Sequence, residues 1–241
     1  MITQDHAFSP SQINKYLQCP LSWKYSVERV PRIRISNDAA RAGSVIHNSI
    51  ARYFTVISDK PNLGSIEGTF QGILDEDWKK NGLPYMPRRQ KCFDNFVKFE
   101  KTRARTQTTY KPTLIESNLQ ATINGMNFNT IIDCYWEDSG TIIDWKTGKL
   151  NQITTSEIIQ GQVEKMVLES HGYKVNKVIF VGLMMGFTLQ MPSSTNTHIE
   201  TIVTQIFKSV TDNRFDKKRN QFCPWCEHQI RCDLEGRCLW Q

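Results

Sequence analysis

Apolar residues recur at helical spacing through much of the first half of the chain. From Ser44 to Ile57 they mark one face of a helix that would also carry His47. Ser9-Pro10 offers an N-cap followed by a proline suited to the first helical position, so a short helix should begin there and stop before Cys19-Pro20. Another helical stretch is indicated near residues 66–78, between loops. The first half is therefore predicted to be mainly helical.

The pattern then changes to the alternation that is typical of strands. Leu114–Ile123 and Met126–Trp136 are strand-like, and the Asn124-Gly125 dipeptide between them favours a type I′ hairpin turn. A turn at Asp138-Ser139-Gly140 leads to a third strand, Thr141–Lys146. Three successive strands are expected.

A helix and one more strand are predicted after the third strand. Thr154 and Glu157 can form a capping box for a helix that runs to about His171-Gly172, and Lys177–Phe187 is interpreted as a single buried strand. This order of elements predicts an α/β fold, in which a central mixed β-sheet is flanked by helices and the last strand joins after a helical crossover.

Composition sets further bounds. A chain of 241 residues with 39% hydrophobic and 22% charged residues can bury a sizeable core, and we expect one catalytic domain. The longest apolar runs are shorter than the roughly 20 residues of a membrane span, and the N-terminus does not resemble a secretory signal. A cytoplasmic location, in a bacterial, archaeal or virus-infected host cell, and no membrane partner are therefore expected.

Positive charge is concentrated in one segment. The net charge is +6, and residues 88–111 hold eight basic and two acidic residues. A solvated helix face and a phosphate-contacting surface are both compatible with this run. The candidate nucleic-acid contacts are Arg88, Arg89, Lys91, Lys101, Arg103 and Arg105.

Two acidic residues and a lysine lie where the second and third strands end. Asp133 is late in the second strand, and Asp144-Trp145-Lys146 closes the third. Since side chains alternate along a strand, Asp144 and Lys146 should share one face, with Trp145 on the other. Two close carboxylates need a proton or a cation to coexist, and Mg²⁺ or Mn²⁺ prefers such oxygens. Bound metal could activate water for phosphodiester hydrolysis, with Lys146 assisting. Structural ion pairing is the alternative.

The sequence Ile-Ile-Asp133, followed by Ile-Ile-Asp144-Trp145-Lys146-Thr-Gly-Lys, resembles the signature of RecB-type PD-(D/E)xK nucleases. The resemblance implies a restriction-endonuclease-like core with His47, Asp133 and Asp144 as metal ligands. It also implies that Glu116 corresponds to the strand glutamate that precedes the first aspartate.

The resemblance further implies a helical glutamine near the site, with tyrosine four residues later. Gln162 is assigned to this role, although Met166 replaces the tyrosine, and Gln160 is the rival. Thr130 is another departure, because the family often has glycine three residues before the first aspartate.

Four of the seven cysteines lie within the last nineteen residues. Cys223, Cys226 and Cys232 form a C-x2-C-x5-C pattern that favours a metal centre over disulfides in a cytosolic chain. A local zinc site completed by Cys238 is one possibility. The context of Cys19 is similar to the lone N-terminal cysteine of AddB-type and CRISPR-associated exonucleases. That similarity implies a [4Fe-4S] cluster ligated by Cys19, Cys223, Cys226 and Cys232.

The sequence thus predicts a DNA exonuclease that prefers single strands, with Mg²⁺ or Mn²⁺ and a [4Fe-4S] cluster as cofactors. A 5′→3′ polarity is what the CRISPR-associated resemblance implies, and endonucleolytic activity is left open. Residues 40–190 would form the nuclease core, and residues 1–35 and 200–241 together the helical cluster-binding part of a single nuclease domain, 1–241. Recombination or repair, viral DNA processing and CRISPR adaptation are the candidate pathways, with further copies of the chain, a nuclease or CRISPR proteins as partners. A non-cleaving DNA-binding or assembly subunit is the alternative.

Overall fold

The structure is a computed structural model that describes residues 6–31, 38–59, 61–106, 109–192 and 199–234. Its helices are α1 Pro10–Gln18, α2 Pro20–Val27, α3 Asp38–Val56, α4 Leu63–Lys80, α5 Pro87–Thr106, α6 Thr155–Ser170, α7 Ile199–Thr211 and α8 Gln229–Leu234, with a short 3-10 helix at Cys223–Trp225. Its strands are β1 Ala7–Phe8, β2 Leu114–Ile123, β3 Met126–Trp136, β4 Thr141–Lys146, β5 Lys177–Gly182 and β6 Phe187–Gln190.

The chain divides into two compact units. The central unit comprises residues 37–119 and 131–195, and the terminal unit comprises residues 1–36, 120–130 and 196–241. The strands β2 and β3 contribute residues to both units. The boundaries predicted from the sequence, 40–190 for a nuclease core and 1–35 with 200–241 for a cluster-binding part, stay predictions.

The sheet is mixed, as the order of elements predicted. β3 and β4 are antiparallel, β4 and β5 are parallel, and β2 pairs with β3. In the terminal unit, β1 pairs in parallel with the beginning of β3, where Ala7 lies opposite Asn127. The hairpin turn also has the expected geometry, because Asn124 and Gly125 both have positive φ, at 50° and 76°.

The single strand predicted over residues 177–187 is wrong. The chain leaves β5 at Gly182 and turns back at Gly186, whose φ is 71°, so that β6 pairs antiparallel with β5. A Cβ atom at Gly186 would also lie 2.8 Å from Asn95 Oδ1. The run of apolar residues conceals this turn, because only Gly182 and Gly186 interrupt it.

Helices cover both faces of the sheet in the central unit. Ile143 and Trp145 of β4 belong to one hydrophobic cluster together with residues of α3, α4 and α5. Ile142, which precedes Ile143 on the strand and so points to the other face, belongs to a second cluster that includes Leu168 of α6. This alternation gives β4 two buried faces, which explains why its sequence is almost continuously apolar.

Aromatic residues and hydrogen bonds connect the elements of the terminal unit. The ring centroids of Phe8 and Phe207 lie 5.3 Å apart, and those of Tyr16 and Trp23 lie 5.6 Å apart. The Tyr16 hydroxyl is 2.6 Å from Ser209 Oγ, so α1 packs against α7. Among the residues that the structure describes, no helix has the length and apolar character to cross a bilayer.

Candidate active site

Three potential metal ligands from separate elements come together in the central unit. His47 Nδ1 lies 3.4 Å from Asp133 Oδ2 and 3.6 Å from Glu116 Oε1. The ligand atoms of these three residues all lie within 4.8 Å of one another, a spacing that one metal ion can bridge. Within the described residues, this is the one such group of three or more histidine, cysteine or acidic side chains.

Each of these side chains is held by its own element. His47 follows the buried Ile46 on α3, so the packing of that helix fixes its position. Asp133 Oδ2 accepts a hydrogen bond of 2.8 Å from the backbone N–H of Trp145. Glu116 has a φ of 42°, in the left-handed region that few residues other than glycine adopt. Such backbone strain is typical of functional positions.

Asp144 and Lys146 form a close ion pair at the end of β4. Lys146 Nζ lies 2.8 Å from Asp144 Oδ1, and Asp144 is almost fully buried. Trp145 points to the opposite face, where its ring packs against those of Phe96 and Phe99. The alternation expected from the sequence is therefore present.

The structure places Gln160, the rival of Gln162, against Asp144 and Lys146. Gln160 Nε2 donates to Asp144 Oδ2, and Gln160 Oε1 accepts from Lys146 Nζ at 2.5 Å. Gln162 lies two residues further along α6, about 200° around the helix axis, so it cannot share this face. The tyrosine expected four residues after the glutamine then corresponds to Glu164.

Glu164 is a site residue that sequence analysis missed. Gln160 Nε2 donates to Glu164 Oε1 at 2.8 Å, and Glu164 is only 1% exposed. The signal that could have identified it is its spacing from Gln160, because residues four apart on a helix are neighbours on one face.

The buried charges of the site shift one another's protonation. Burial raises the pKa of Asp144 to about 6, while the adjacent Lys146 opposes the shift. Burial and the nearby carboxylates of Asp144 and Asp133 raise the pKa of Glu164 well above its ordinary value. Burial lowers the pKa of His47, but Asp133 and Glu116 outweigh that effect and raise it to about 10. With no cation present, the proton on His47 compensates the carboxylates.

The donor set fits a divalent metal ion. Two carboxylates and one imidazole provide the hard oxygens and the nitrogen that Mn²⁺ accepts, and Mg²⁺ binds carboxylates in the same way. Asp144, predicted as the third ligand, is not in the group formed by His47, Glu116 and Asp133; its carboxylate pairs with Lys146 and accepts from Gln160, and its role as a metal ligand stays a prediction.

The sequence matches the PD-(D/E)XK nuclease superfamily over residues 7–233. The chain belongs to this superfamily. A solved structure of a candidate exonuclease from Eubacterium rectale is 13% identical, with a TM-score of 0.56, over 99% of this nuclease and 92% of that chain. The solved structure of SSO0001 is 12% identical, with a TM-score of 0.46, over 97% and 89% of the two chains. No curated protein matches significantly.

Arg103, one of the predicted DNA contacts of the nuclease, lies in the core. Its guanidinium donates to Glu100 Oε1 at 2.9 Å and to Glu100 Oε2 at 2.7 Å, and it stacks over the rings of Tyr110 and Trp136. The residue is 5% exposed. Assigning it to a DNA surface was incorrect, because a charge pattern does not show that a buried carboxylate pairs with one of its members.

The other predicted DNA contacts differ in their surroundings. Arg88 donates to the Ala39 carbonyl at 3.0 Å, Arg89 pairs with Asp75, and Lys101 pairs with Glu67 at 2.6 Å. The remaining two, Lys91 and Arg105, are exposed.

The four predicted cluster ligands line one cavity of about 160 Å³ in the terminal unit. They are Cys19, Cys223, Cys226 and Cys232. None of the described cysteines forms a disulfide. The backbone N–H of Asn220 donates to Cys223 Sγ at 3.3 Å, and Lys15, which also lines the cavity, pairs with Glu227 at 2.5 Å. The rival ligand Cys238 lies outside the described residues.

Proposed function

We propose that this nuclease is a divalent-metal-dependent DNA exonuclease that acts on single-stranded ends in the 5′→3′ direction. The observation that carries the proposal is the convergence of His47, Glu116 and Asp133 beside the Asp144–Lys146 pair. Phosphodiester hydrolysis needs an activated water and compensation for charge on the phosphate, and these residues can provide for both. The exonuclease assignment follows the sequence resemblance, and recombination or repair, viral DNA processing and CRISPR adaptation are the pathways it fits.

His47, Glu116 and Asp133 would hold Mg²⁺ or Mn²⁺, and Asp144 borders them from the adjacent strand. When bound, the metal would lower the pKa of a coordinated water and polarise the phosphate. The protein contributes the fixed positions of these ligands: the Trp145 N–H orients Asp133, and the helix α3 presents His47. Because His47 must lose its proton to bind a metal, metal binding is expected to strengthen as pH rises.

Lys146 is oriented by two partners and has a third donor for the substrate. An ammonium group has three N–H donors: Lys146 donates one to Gln160 Oε1, and its ion pair with Asp144 Oδ1 engages at most one more. The third can be donated to the attacking water or to a phosphate oxygen. The pairing with Asp144 also keeps Lys146 charged, because that carboxylate outweighs burial and raises the lysine pKa.

The experiment that tests the proposal compares wild type with Lys146→Ala on DNA labelled at either end, single- and double-stranded. We expect wild type to degrade single strands from the 5′ end with Mn²⁺ or Mg²⁺ and to stop with chelator. Lys146→Ala should lower kcat by about 100-fold or more. The matched control is Lys79→Ala, which removes an exposed lysine from α4.

Cleavage that persists in chelator, or a fully active Lys146→Ala protein, would contradict the metal-dependent mechanism. Circular single-stranded DNA separates the two modes of cutting, since an exonuclease needs an end. DNA binding without any cleavage would support the alternative of a non-cleaving subunit.

We also propose that the terminal unit binds a [4Fe-4S] cluster through Cys19, Cys223, Cys226 and Cys232. Their shared cavity supports this, together with the C-x2-C-x5-C spacing of the last three. Stoichiometric zinc in anaerobically purified protein would contradict the proposal.

A further inference from the structure

Glu164 is a buried carboxyl group whose need for partners is only partly met. Its Oε1 accepts from Gln160 Nε2 at 2.8 Å, while among the described residues its Oε2 has no hydrogen-bond partner. The side chain is 1% exposed. A buried polar atom without a partner costs roughly 1–3 kcal/mol, so packing alone does not account for a glutamate at this position.

Gln160 connects this carboxyl group to the reacting residues. The amide nitrogen of Gln160 has two N–H groups: one is donated to Asp144 and the other to Glu164. Because Asp144 and Glu164 both accept from the amide nitrogen, the amide oxygen faces Lys146 Nζ, from which it accepts a hydrogen bond at 2.5 Å. If the second acceptor were missing, the amide would keep one N–H buried without a partner and would gain freedom to rotate.

We propose that Glu164 is a positioning residue that acts through Gln160 to orient Lys146. Glu164 fixes the amide of Gln160, the amide oxygen fixes the ammonium of Lys146, and the third N–H of Lys146 is thereby directed at the substrate. This inference rests on the proposed function, in which Lys146 assists the attacking water.

The test compares Glu164→Met, which removes the acceptor, with Glu164→Gln, which keeps an acceptor oxygen. Glu164→Met should lower kcat for DNA cleavage by about tenfold, the size expected for the loss of one buried hydrogen bond, with KM unchanged within about twofold. Its thermal midpoint should stay close to that of wild type, because removing the unpartnered Oε2 offsets the Gln160 N–H that is left without an acceptor. Glu164→Gln should stay within about threefold of the wild-type kcat. The control is Glu169→Met, which alters an exposed glutamate of the same helix and should keep wild-type kcat.

A double-mutant cycle tests whether Glu164 acts through Gln160. If it does, the double variant Glu164→Met/Gln160→Met should be no slower than Gln160→Met alone. Once Gln160 is gone, Glu164 has no amide left to position, so its loss has no further effect. A double variant about tenfold slower than Gln160→Met would show an independent role and overturn the inference. A Glu164→Gln protein as slow as Glu164→Met would also overturn it, because the acceptor alone would then be insufficient.

A readout without catalysis separates this inference from the proposed function. The side-chain NH₂ resonances of Gln160, assigned by their loss in Gln160→Met, report its two hydrogen bonds by NMR. In Glu164→Met one resonance should move upfield and exchange faster, while Glu164→Gln should resemble wild type. Unchanged resonances in Glu164→Met would refute the positioning role. A wild-type chain that cleaves no DNA would refute the proposed function, and the resonances would still decide whether Glu164 holds Gln160.

Discussion

At the scale of single residues, the carboxylates of the site keep His47 protonated, and a bound metal ion would take the place of that proton. The pKa of His47 is raised from 6.5 to about 10 by Asp133 and Glu116, against the effect of burial. In the folded chain without metal, the charged imidazole therefore stabilises the protein. This contribution is fully present below pH 6.5, the ordinary pKa, and is lost as pH rises through about 10.

We predict that chelated wild type loses stability between pH 6.5 and 10 more steeply than chelated His47→Gln. The difference in slope should approach, without exceeding, about 1.4 kcal/mol per pH unit, because one proton is involved. Urea unfolding at several pH values in EDTA measures it, and the comparison of the two proteins cancels other titrating groups.

Saturating Mn²⁺ provides the control for this pH dependence. The neutral imidazole binds the metal, so apparent metal affinity should rise with pH, and the metal should stabilise wild type more at pH 9 than at pH 7. Parallel pH slopes for wild type and His47→Gln in EDTA would show that His47 carries no proton to be replaced.

The residues that sequence analysis identified are those whose roles follow from local spacing. Asp144 and Lys146 are two apart on a strand, and this spacing sufficed to predict that they share a face. The choice between Gln160 and Gln162 requires knowing which side of α6 faces the sheet, and that depends on how the helix packs. The burial of Arg103 likewise depends on a partner, Glu100, and on the aromatic rings around it.

At the scale of elements, the site depends on how closely α6 approaches β5. Gly161 follows Gln160 and faces the sheet: a Cβ atom there would lie 2.8 Å from Met191 Sδ, 3.1 Å from Val178 Cγ1 and 3.3 Å from Phe180 Cζ. The absence of a side chain lets the helix lie close enough for Gln160 to reach Asp144. The sequence gives no sign of this role, because an isolated glycine in a helix is equally compatible with an exposed position.

We predict that Gly161→Val destabilises the protein by about 1–3 kcal/mol, because it overpacks the contact between α6 and β5. It should also lower kcat, since Gln160 and Glu164 move with the helix. The control is Gly68 in α4, around which a Cβ atom would meet nothing within 4 Å. Gly68→Ala should stabilise by about 0.5–1 kcal/mol and leave kcat unchanged. Urea unfolding and cleavage assays measure both, and a Gly161→Val protein as stable and active as wild type would exclude a close approach.

The β2–β3 hairpin and β4 were predicted at their observed bounds, because turn dipeptides and alternation mark both ends of each strand. The turn between β5 and β6 was missed, and so was α2, which begins at Pro20 directly after α1 ends. Proline is well suited to the first position of a helix, but after a cysteine it was taken only as the end of the preceding one. Local sequence signals therefore located the helices and strands, but they did not show where one element ends and an adjacent one begins.

At the scale of the whole molecule, the terminal unit brings together segments from opposite ends of the sequence. Cys19 lies between α1 and α2, while Cys223, Cys226 and Cys232 lie more than 200 residues later, yet all line one cavity. A cluster bound by all four would cross-link this long loop and reduce the entropy of the unfolded chain. The packing of Tyr16 against Ser209 shows that the two segments also have contacts of their own.

We therefore predict that Cys19→Ala loses iron and lowers the thermal midpoint, even though the packing of α1 against α7 remains. Because closure of a loop of this length is worth several kcal/mol, on the order of 3–5 kcal/mol by analogy with long disulfide loops, the fall should be large. The matched control is Cys92→Ala, which removes a buried thiol from α5 and should cost stability through a small cavity while keeping the iron. Iron content, the visible absorption of the cluster and thermal unfolding under anaerobic conditions distinguish the two variants. A Cys19→Ala protein with full iron content would show that Cys19 does not bind the cluster, and would leave Cys238 as the candidate fourth ligand.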